Sequence, residues 1–372
     1  MYQIRGNTMS ATVYHKLRDL LDTIPNGYPS TEDGLELKIL EKIFTEEEAA
    51  ITLQLKLDWE TTDAIAERTG MDADYLKEKL AEMQSRGEIF GAKIGAVSLY
   101  KLMPFVFGVY EMQLNRLDRE LVEMCEHYMM TAFGEEFYSH TPSLLKVVPI
   151  EEEIPRGSEV ESYESITTLI ENAKAWSVGD CICKTEKGIL GEPCSKPKEV
   201  CMGIAPIENY FDDYWWGRAI TKEEAFKILK EAEEAGLVHM TNNYKEGHFA
   251  ICNCCSCCCG ILRGMNELKK PDATAQSNYV AAVDEDLCTA CGICLERCQV
   301  HAIDMEDYAE INERCIGCGL CVTTCPTEAI SLVRRSDENL TEVPNNEKEW
   351  LAKREKSRKG NQDYEKLFRN RK

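Results

Sequence analysis

Two cysteine series near the C-terminal end share one spacing. Cys288, Cys291, Cys294 and Cys298 are set as C-x2-C-x2-C-x3-C, and Cys315, Cys318, Cys321 and Cys325 repeat it 27 residues later. Gly292 and Gly319 align at the same offset, which marks an internal duplication. A second set, Cys181, Cys183, Cys194 and Cys201, is spaced C-x-C-x10-C-x6-C. A third is the strip ICNCCSCCCG, which places Cys252, Cys254, Cys255, Cys257, Cys258 and Cys259 within eight positions. The chain has 19 cysteines in 372 residues, an odd number with several adjacent, which argues against a disulfide framework. Thiolates in such numbers are metal ligands, suited to zinc or to iron–sulfur clusters. Cys125 stands alone in a helical stretch and reads as a small buried hydrophobe.

The duplicated series resembles the bacterial two-cluster ferredoxins, in which three close thiolates hold one [4Fe–4S] cluster and the fourth crosses to the other. Carried over by position, the resemblance implies one cluster on Cys288, Cys291, Cys294 and Cys325. The second would lie on Cys315, Cys318, Cys321 and Cys298. It also implies that Tyr279–Val283 and the segment 329–333 pair as a small sheet. Cys325 is followed by the expected Pro326, whereas Cys298 is followed by Gln299. For Cys181, Cys183, Cys194 and Cys201, the glycine-rich surround favours another iron–sulfur centre, with structural zinc as the alternative. Lys184, Lys187, Lys196 and Lys198 could offset its negative charge or simply form a solvated loop.

The strip admits two readings. Run as a strand, it would alternate, with Cys252, Cys254 and Cys258 on one side and Cys255, Cys257 and Cys259 on the other, serving two centres. Run as a tight loop turning at Gly260, it would wrap one. His239 and His248 are further candidate ligands whose ordinary reading is a surface or core histidine. In total, one or two additional iron–sulfur clusters, or zinc, are expected within 181–259.

Stepping along the chain gives an α+β, multidomain organisation. An N-terminal helical arm (1–34) precedes a winged-helix-like region (35–110). There Leu37, Leu40 and Phe44 mark one helix face, Thr45–Glu48 a capping box, and 89–102 a hairpin turning at 91–95. A cysteine-rich α+β metal-binding domain (111–270), a two-cluster ferredoxin-like domain (278–334) and a polar basic tail (335–372) follow. Thr221–Glu224 opens a helix closed by Gly236 and leads towards the strip. The aromatic stretch 210–216 could shield a cluster, form a docking face or pack in a core. Residues 26–34, the winged-helix-like region, the Cys181–Cys183 loop, residues 236–239 and the strip precede the ferredoxin-type series in that order. Together they resemble a family of large ferredoxin-type iron–sulfur proteins of anaerobic bacteria and archaea.

Charge and hydropathy narrow the function. Net charge is −22, so non-specific attraction to nucleic acid or anionic membranes is disfavoured. Segment 347–372 carries ten Lys/Arg against five acids, leaving about −27 on the rest; it reads as a solvated end or a docking arm. The helix expected at 72–86 has four acids against three bases, an unpromising surface for phosphate. No apolar run approaches the roughly 20 residues that span a bilayer, and a cytoplasmic location is expected. Neither a dinucleotide fingerprint nor a phosphate loop is present. The expected function is relay of low-potential electrons between redox partner proteins, whether oxidoreductases or ferredoxin or flavoprotein subunits. Two alternatives remain: a reductase subunit with the strip 252–259 as its active centre, and a redox-sensing winged-helix regulator. An oligomer is left open.

Overall fold

The computed structural model describes residues 6–155, 160–212 and 217–358. The chain forms two compact units, residues 1–137 with 354–372, and residues 138–353.

The first unit contains α1 (Gly6–Thr23), α2 (Leu35–Ile43), α3 (Glu46–Thr52), β1 (Glu60–Thr61), α4 (Thr62–Thr69), α5 (Ala73–Ser85), β2 (Phe90–Ile94) and β3 (Val97–Lys101). It ends with α6 (Arg119–Met129) and α7 (Ala132–Phe137). Leu35, Ile39, Leu40 and Ile43 form the buried face of α2. Thr45 and Glu48 exchange the two bonds of a capping box, which fixes the start of α3. The hairpin turns later than its sequence suggests: Ile94 pairs with Val97, so Gly95 and Ala96 make the bend. Gly91 instead lies inside β2, where a Cβ would come within 2.2 Å of the Gln84 side chain on α5. β1 adds to β3, giving a three-stranded antiparallel sheet in the order β1-β3-β2.

Residues 26–34 and 111–137 belong to this unit and supply part of its core. Tyr28 is fully buried, 4.7 Å from Phe105 and 5.2 Å from Tyr128 between ring centroids, with Phe133 and Phe137 continuing the aromatic cluster. Cys125 is fully buried on α6. The expected solvated tail is corrected at its start. Arg354 is 1% exposed, donates to the carbonyls of Pro25 and Phe137 and stacks on the Phe137 ring. Arg358 pairs with Asp22 and Glu136. Buried carbonyls need donors, and a guanidinium has five to give. The remainder of the tail, 359–372, lies outside the described residues.

In the second unit the elements are β4 (Leu145–Val147), α8 (Ile166–Asn172), β5 (Ala175–Asp180), α9 (Ile182–Leu190), β6 (Glu199–Ala205), β7 (Arg218–Ile220), α10 (Lys222–Glu234), β8 (Val238–Asn242), β9 (Ala250–Cys254) and α11 (Gly260–Asn266). Then come β10 (Tyr279–Val283), α12 (Ile293–Arg297), β11 (Ile303–Met305), β12 (Ala309–Ile311), β13 (Ile330–Arg334) and α13 (Glu347–Ser357), whose last residues belong to the first unit. Six strands form an antiparallel sheet in the order β4-β8-β9-β6-β5-β7. Its core packs Val178, Met202, Ile204 and Ile251 against Ile166 and Ile170 of α8 and Ala225, Ile228 and Leu229 of α10. The strand half of the cysteine strip, β9, is therefore central, between β8 and β6.

The ferredoxin-type segment forms two small sheets within this same unit. β10 pairs antiparallel with β13, from Tyr279 opposite Arg334 to Val283 opposite Ile330, and β11 pairs with β12. The duplication extends to the backbone. Left-handed residues occur at Ala290 and Gly317, Gly292 and Gly319, and His301 and Glu328, each pair at the 27-residue offset. Fixed thiol spacing imposes the same sharp bends twice.

Candidate metal centres

Cys298, Cys315, Cys318 and Cys321 line one cavity whose other walls are mostly apolar, including Ala281, Val300, Ile303, Ile311, Ile316 and Leu320. These are the four thiols that the ferredoxin resemblance implies for one centre, contributed by both repeats. Burial pushes the Cys318 thiol up to about 12 and raises Cys298 and Cys321 as well, with the other cysteines of this cavity adding to each. A neutral thiol is favoured there unless a cation is bound, which is the condition expected of a metal ligand. On the other side, Cys294 is raised by burial, with Cys291 and Cys288 adding their charge. Amide donors aim at the sulphurs at equivalent places: Ala302 N to Cys298 Sγ at 3.2 Å and Ala329 N to Cys325 Sγ at 3.2 Å. Such N–H···S bonds stabilise thiolate charge and tune cluster potentials. A donor set of sulphur alone, dry walls and oriented amides fit an iron–sulfur cluster.

Upstream, the structure regroups the remaining ten cysteines and corrects the second sequence set. Cys181, Cys183, Cys194 and Cys201 do not form one site. Cys181 follows β5 as the N-cap of α9, and Cys183 lies in the first turn of that helix. Cys201 lies on β6, Cys252 and Cys254 on β9, and Cys259 is the N-cap of α11. Met202 pairs with Ile251, so the next step of the register sets Cys201 opposite Cys252.

These six thiols form one electrostatically coupled series, the six-thiol ring, whose two ends meet only through charge. Cys183 and Cys201 are coupled to Cys181, Cys252 to Cys201, Cys254 to Cys252 and Cys259 to Cys254. The charge of Cys259 in turn raises Cys183, at the other end of the series. Hydrogen bonds from Cys183 and Cys201, with the Lys184 backbone N–H, hold Cys181 well below the usual thiol range. Its five neighbours are all raised, each first by the thiol to which it donates.

Cys194 joins a different group. Its sulphur is 3.8 Å from that of Cys255 and 3.6 Å from that of Cys257; Cys257 is 3.3 Å from Cys255 and 3.6 Å from Cys258. All four sulphurs lie within 4.8 Å of one another. Hydrogen bonding from Cys258 brings Cys255 down to about 5, while burial and then Cys255 push Cys257 up to about 12.

The strip thus serves two groups, but not by alternation alone. Strand pairing ends at Cys254, and a turn closed by Cys259 N to Cys255 O at 3.0 Å carries 255–258 away before the chain returns at Cys259. That turn exchanges the places expected of Cys258 and Cys259. Asn253, between Cys252 and Cys254 on β9, binds His239 Nδ1 at 2.5 Å and donates to Val200 O at 2.7 Å. The other ring nitrogen of His239 faces Glu233 at 3.3 Å, and His248 is engaged by Thr241 and the Lys245 carbonyl. Neither histidine joins a cysteine group.

Of the four nearby lysines, one bears on both groups. Lys184 is 4% exposed, donates to Pro197 O at 2.6 Å, and its charge lowers both Cys181 and Cys255. Lys187 pairs with Glu192 and Lys198 with Asp180. Lys196 donates to the carbonyls of Ala235 and Gly236 just beyond α10. Of the aromatic stretch, Tyr210 and Phe211 stack edge to face at 5.0 Å, Phe211 buried against β6; residues 213–216 lie outside the described residues.

One contact was not anticipated. Gln299, where the first repeat departs from the Cys-Pro pattern, accepts from the backbone N–H and the hydroxyl of Ser256 in the middle of the strip. Asn266 on α11 donates to Gln299 O, and Arg314 donates to both Asn266 Oδ1 and Val300 O. Arg297 reaches the carbonyls of Glu233 and Glu234. A polar residue in place of proline was the available signal; its partner, 43 residues away, was not.

Residues 281–304 and 309–331 each match the model of the 4Fe-4S binding domain. Comparison with curated proteins and with solved structures gave no match. Among the described residues no helix is long and apolar enough to cross a membrane. The C-terminal part of the second unit carries a ferredoxin-type domain whose two repeats indicate two [4Fe–4S] clusters, and with them iron–sulfur electron-transfer capacity.

Proposed function

We propose that this chain relays low-potential electrons between redox partner proteins in anaerobic metabolism. Cys288, Cys291, Cys294 and Cys325 would hold one [4Fe–4S] cluster, and Cys315, Cys318, Cys321 and Cys298 the other. The ring of Cys181, Cys183, Cys201, Cys252, Cys254 and Cys259 would hold a further iron–sulfur centre. When bound, these groups supply one-electron redox chemistry at little structural cost, because charge is spread over several irons.

The observation that carries this reading is the bond between Gln299 and Ser256. Gln299 follows Cys298 directly, so a thiol of the ferredoxin-type cavity is covalently next to a residue anchored in the strip. The strip runs from the central strand β9 into the turn that carries Ser256. Such placement keeps the two cysteine-bearing regions in fixed register, as an electron relay requires. Val200, Leu237 and Ala232 pack against Cys255 and Cys258 of the strip and keep water away from those two thiols.

Helices α2 to α5 with the sheet β1-β3-β2 fit a winged-helix-like domain that docks a protein rather than DNA. On α5, Lys79 is paired with Glu47 and Glu82, and Arg86 just beyond it with Glu48 and Glu88. Cations already neutralised offer little to a phosphate backbone.

The test is an anaerobic redox titration of the full chain followed by electron paramagnetic resonance. Reduced signals from two interacting [4Fe–4S] clusters and from a third centre are expected, with electrons passing on to an added ferredoxin. A protein that binds iron yet reduces no acceptor, or whose DNA affinity changes with cluster oxidation, would overturn the relay.

A further inference from the structure

Cys194, Cys255, Cys257 and Cys258 are set too closely for a cluster. In a four-iron cube each cysteine binds a different iron, so the four sulphurs stand around the outside of an eight-atom core. Here they are within 4.8 Å of one another, and four of the separations are 3.3, 3.6, 3.6 and 3.8 Å. No core of that size fits between sulphurs in mutual contact. One tetrahedral ion with metal–sulphur bonds of about 2.3 Å requires sulphurs about 3.8 Å apart, which is this spacing.

We propose that these four thiols hold a single zinc ion, separate from any iron–sulfur centre. The set is closed and all sulphur, which is the pattern of structural zinc sites. Soft thiolates reject magnesium and calcium, and at a given site Zn2+ outcompetes Fe2+ in the general affinity order of divalent ions. Four thiolates around a dication leave a net charge of −2.

The ion has a structural task. Three ligands come from the turn 255–258 and the fourth from a loop 61 residues earlier. Lys196, two residues after Cys194, is itself fixed to the carbonyls of Ala235 and Gly236. Zinc would tie that loop to the turn between Cys254 and Cys259. This inference does not depend on the ring's own occupant.

Metal analysis of the anaerobically prepared full chain is expected to give one zinc per chain beside its iron. Zinc-edge X-ray absorption should show four sulphur neighbours at about 2.3 Å. Cys194→Ser and Cys257→Ser should each lose the zinc and keep the iron. Loss of several irons per chain in Cys257→Ser, one iron in place of zinc, or unchanged zinc in both variants would each overturn the proposal. If neither variant accumulates, the wild-type absorption spectrum decides alone: a zinc shell of nitrogen or oxygen, or no zinc, refutes it.

Discussion

Gln299 Oε1 lies 3.0 Å from the backbone nitrogen and 3.1 Å from the hydroxyl of Ser256, so one side chain next to Cys298 fastens the midpoint of the cysteine strip. Both partners are half-buried or better, and a buried donor left unsatisfied costs about 1–3 kcal/mol. Gln299→Pro restores the ferredoxin pattern and removes both bonds. Iron in the ferredoxin-type domain should be retained. The Ser256 amide should exchange with solvent about tenfold faster or more, the rate change that goes with about 1.4 kcal/mol. Unchanged exchange would mean the contact holds nothing in place.

Lys184 is the buried cation whose charge reaches both cysteine groups. Lys184→Met keeps the packing and removes the charge, so an added electron is less well stabilised. The centre on the six-thiol ring should shift to lower reduction potential by tens of millivolts, about 59 mV for each 1.4 kcal/mol in a one-electron couple. A shift upward, or one confined to the ferredoxin-type clusters, would contradict the assignment of Lys184 to the ring.

The repeats differ at one bend in an instructive way. Gly317 has φ +70°, and a Cβ there would sit 2.0 Å from the Tyr279 carbonyl oxygen. Ala290, its equivalent, holds φ +51° with a side chain in place. Gly317→Ala should lower iron content and stability sharply. Ala290→Gly, which relieves about 1 kcal/mol of left-handed strain, should leave both intact or slightly improved. Thermal melts and iron assays of the two variants check this asymmetry.

Glu88 predicts a pH dependence in the first unit. Burial, with Glu48 adding, pushes its carboxyl from 4.5 up to about 7, against the pull of Arg86 and Arg116. A raised folded-state value means the contribution is fully present below about pH 4.5 and is lost as pH rises through 7. Glu88→Gln should remove a decline of about 2–3 kcal/mol between pH 5 and pH 8. Urea unfolding at both pH values measures it, and an identical decline in the variant would sink the idea.

The sequence made some of this legible and hid the rest for physical reasons. The two cysteine series of 288–325 could be read as a ferredoxin-type pair because their spacing is local and occurs twice. Membership of Cys194 could not, since it depends on where β9 stops pairing and on which side the loop before β6 folds. Alternation along 252–259 foresaw two groups but misplaced Cys258 and Cys259, because the turn begins at Cys255. The capping box at Thr45 was visible as a motif. Burial of Arg354 was not: its partners are the carbonyls of Pro25 and Phe137, hundreds of residues away in sequence.

Iron and acid-labile sulfide per chain, measured on anaerobically prepared protein, test the central claim most directly. Two four-iron clusters account for about eight irons. The account predicts more than that, with sulfide in proportion, and a return to about eight when Cys181 and Cys252 are replaced by serine. About eight irons in the unaltered chain would contradict a centre on the six-thiol ring, and none would contradict the electron relay itself.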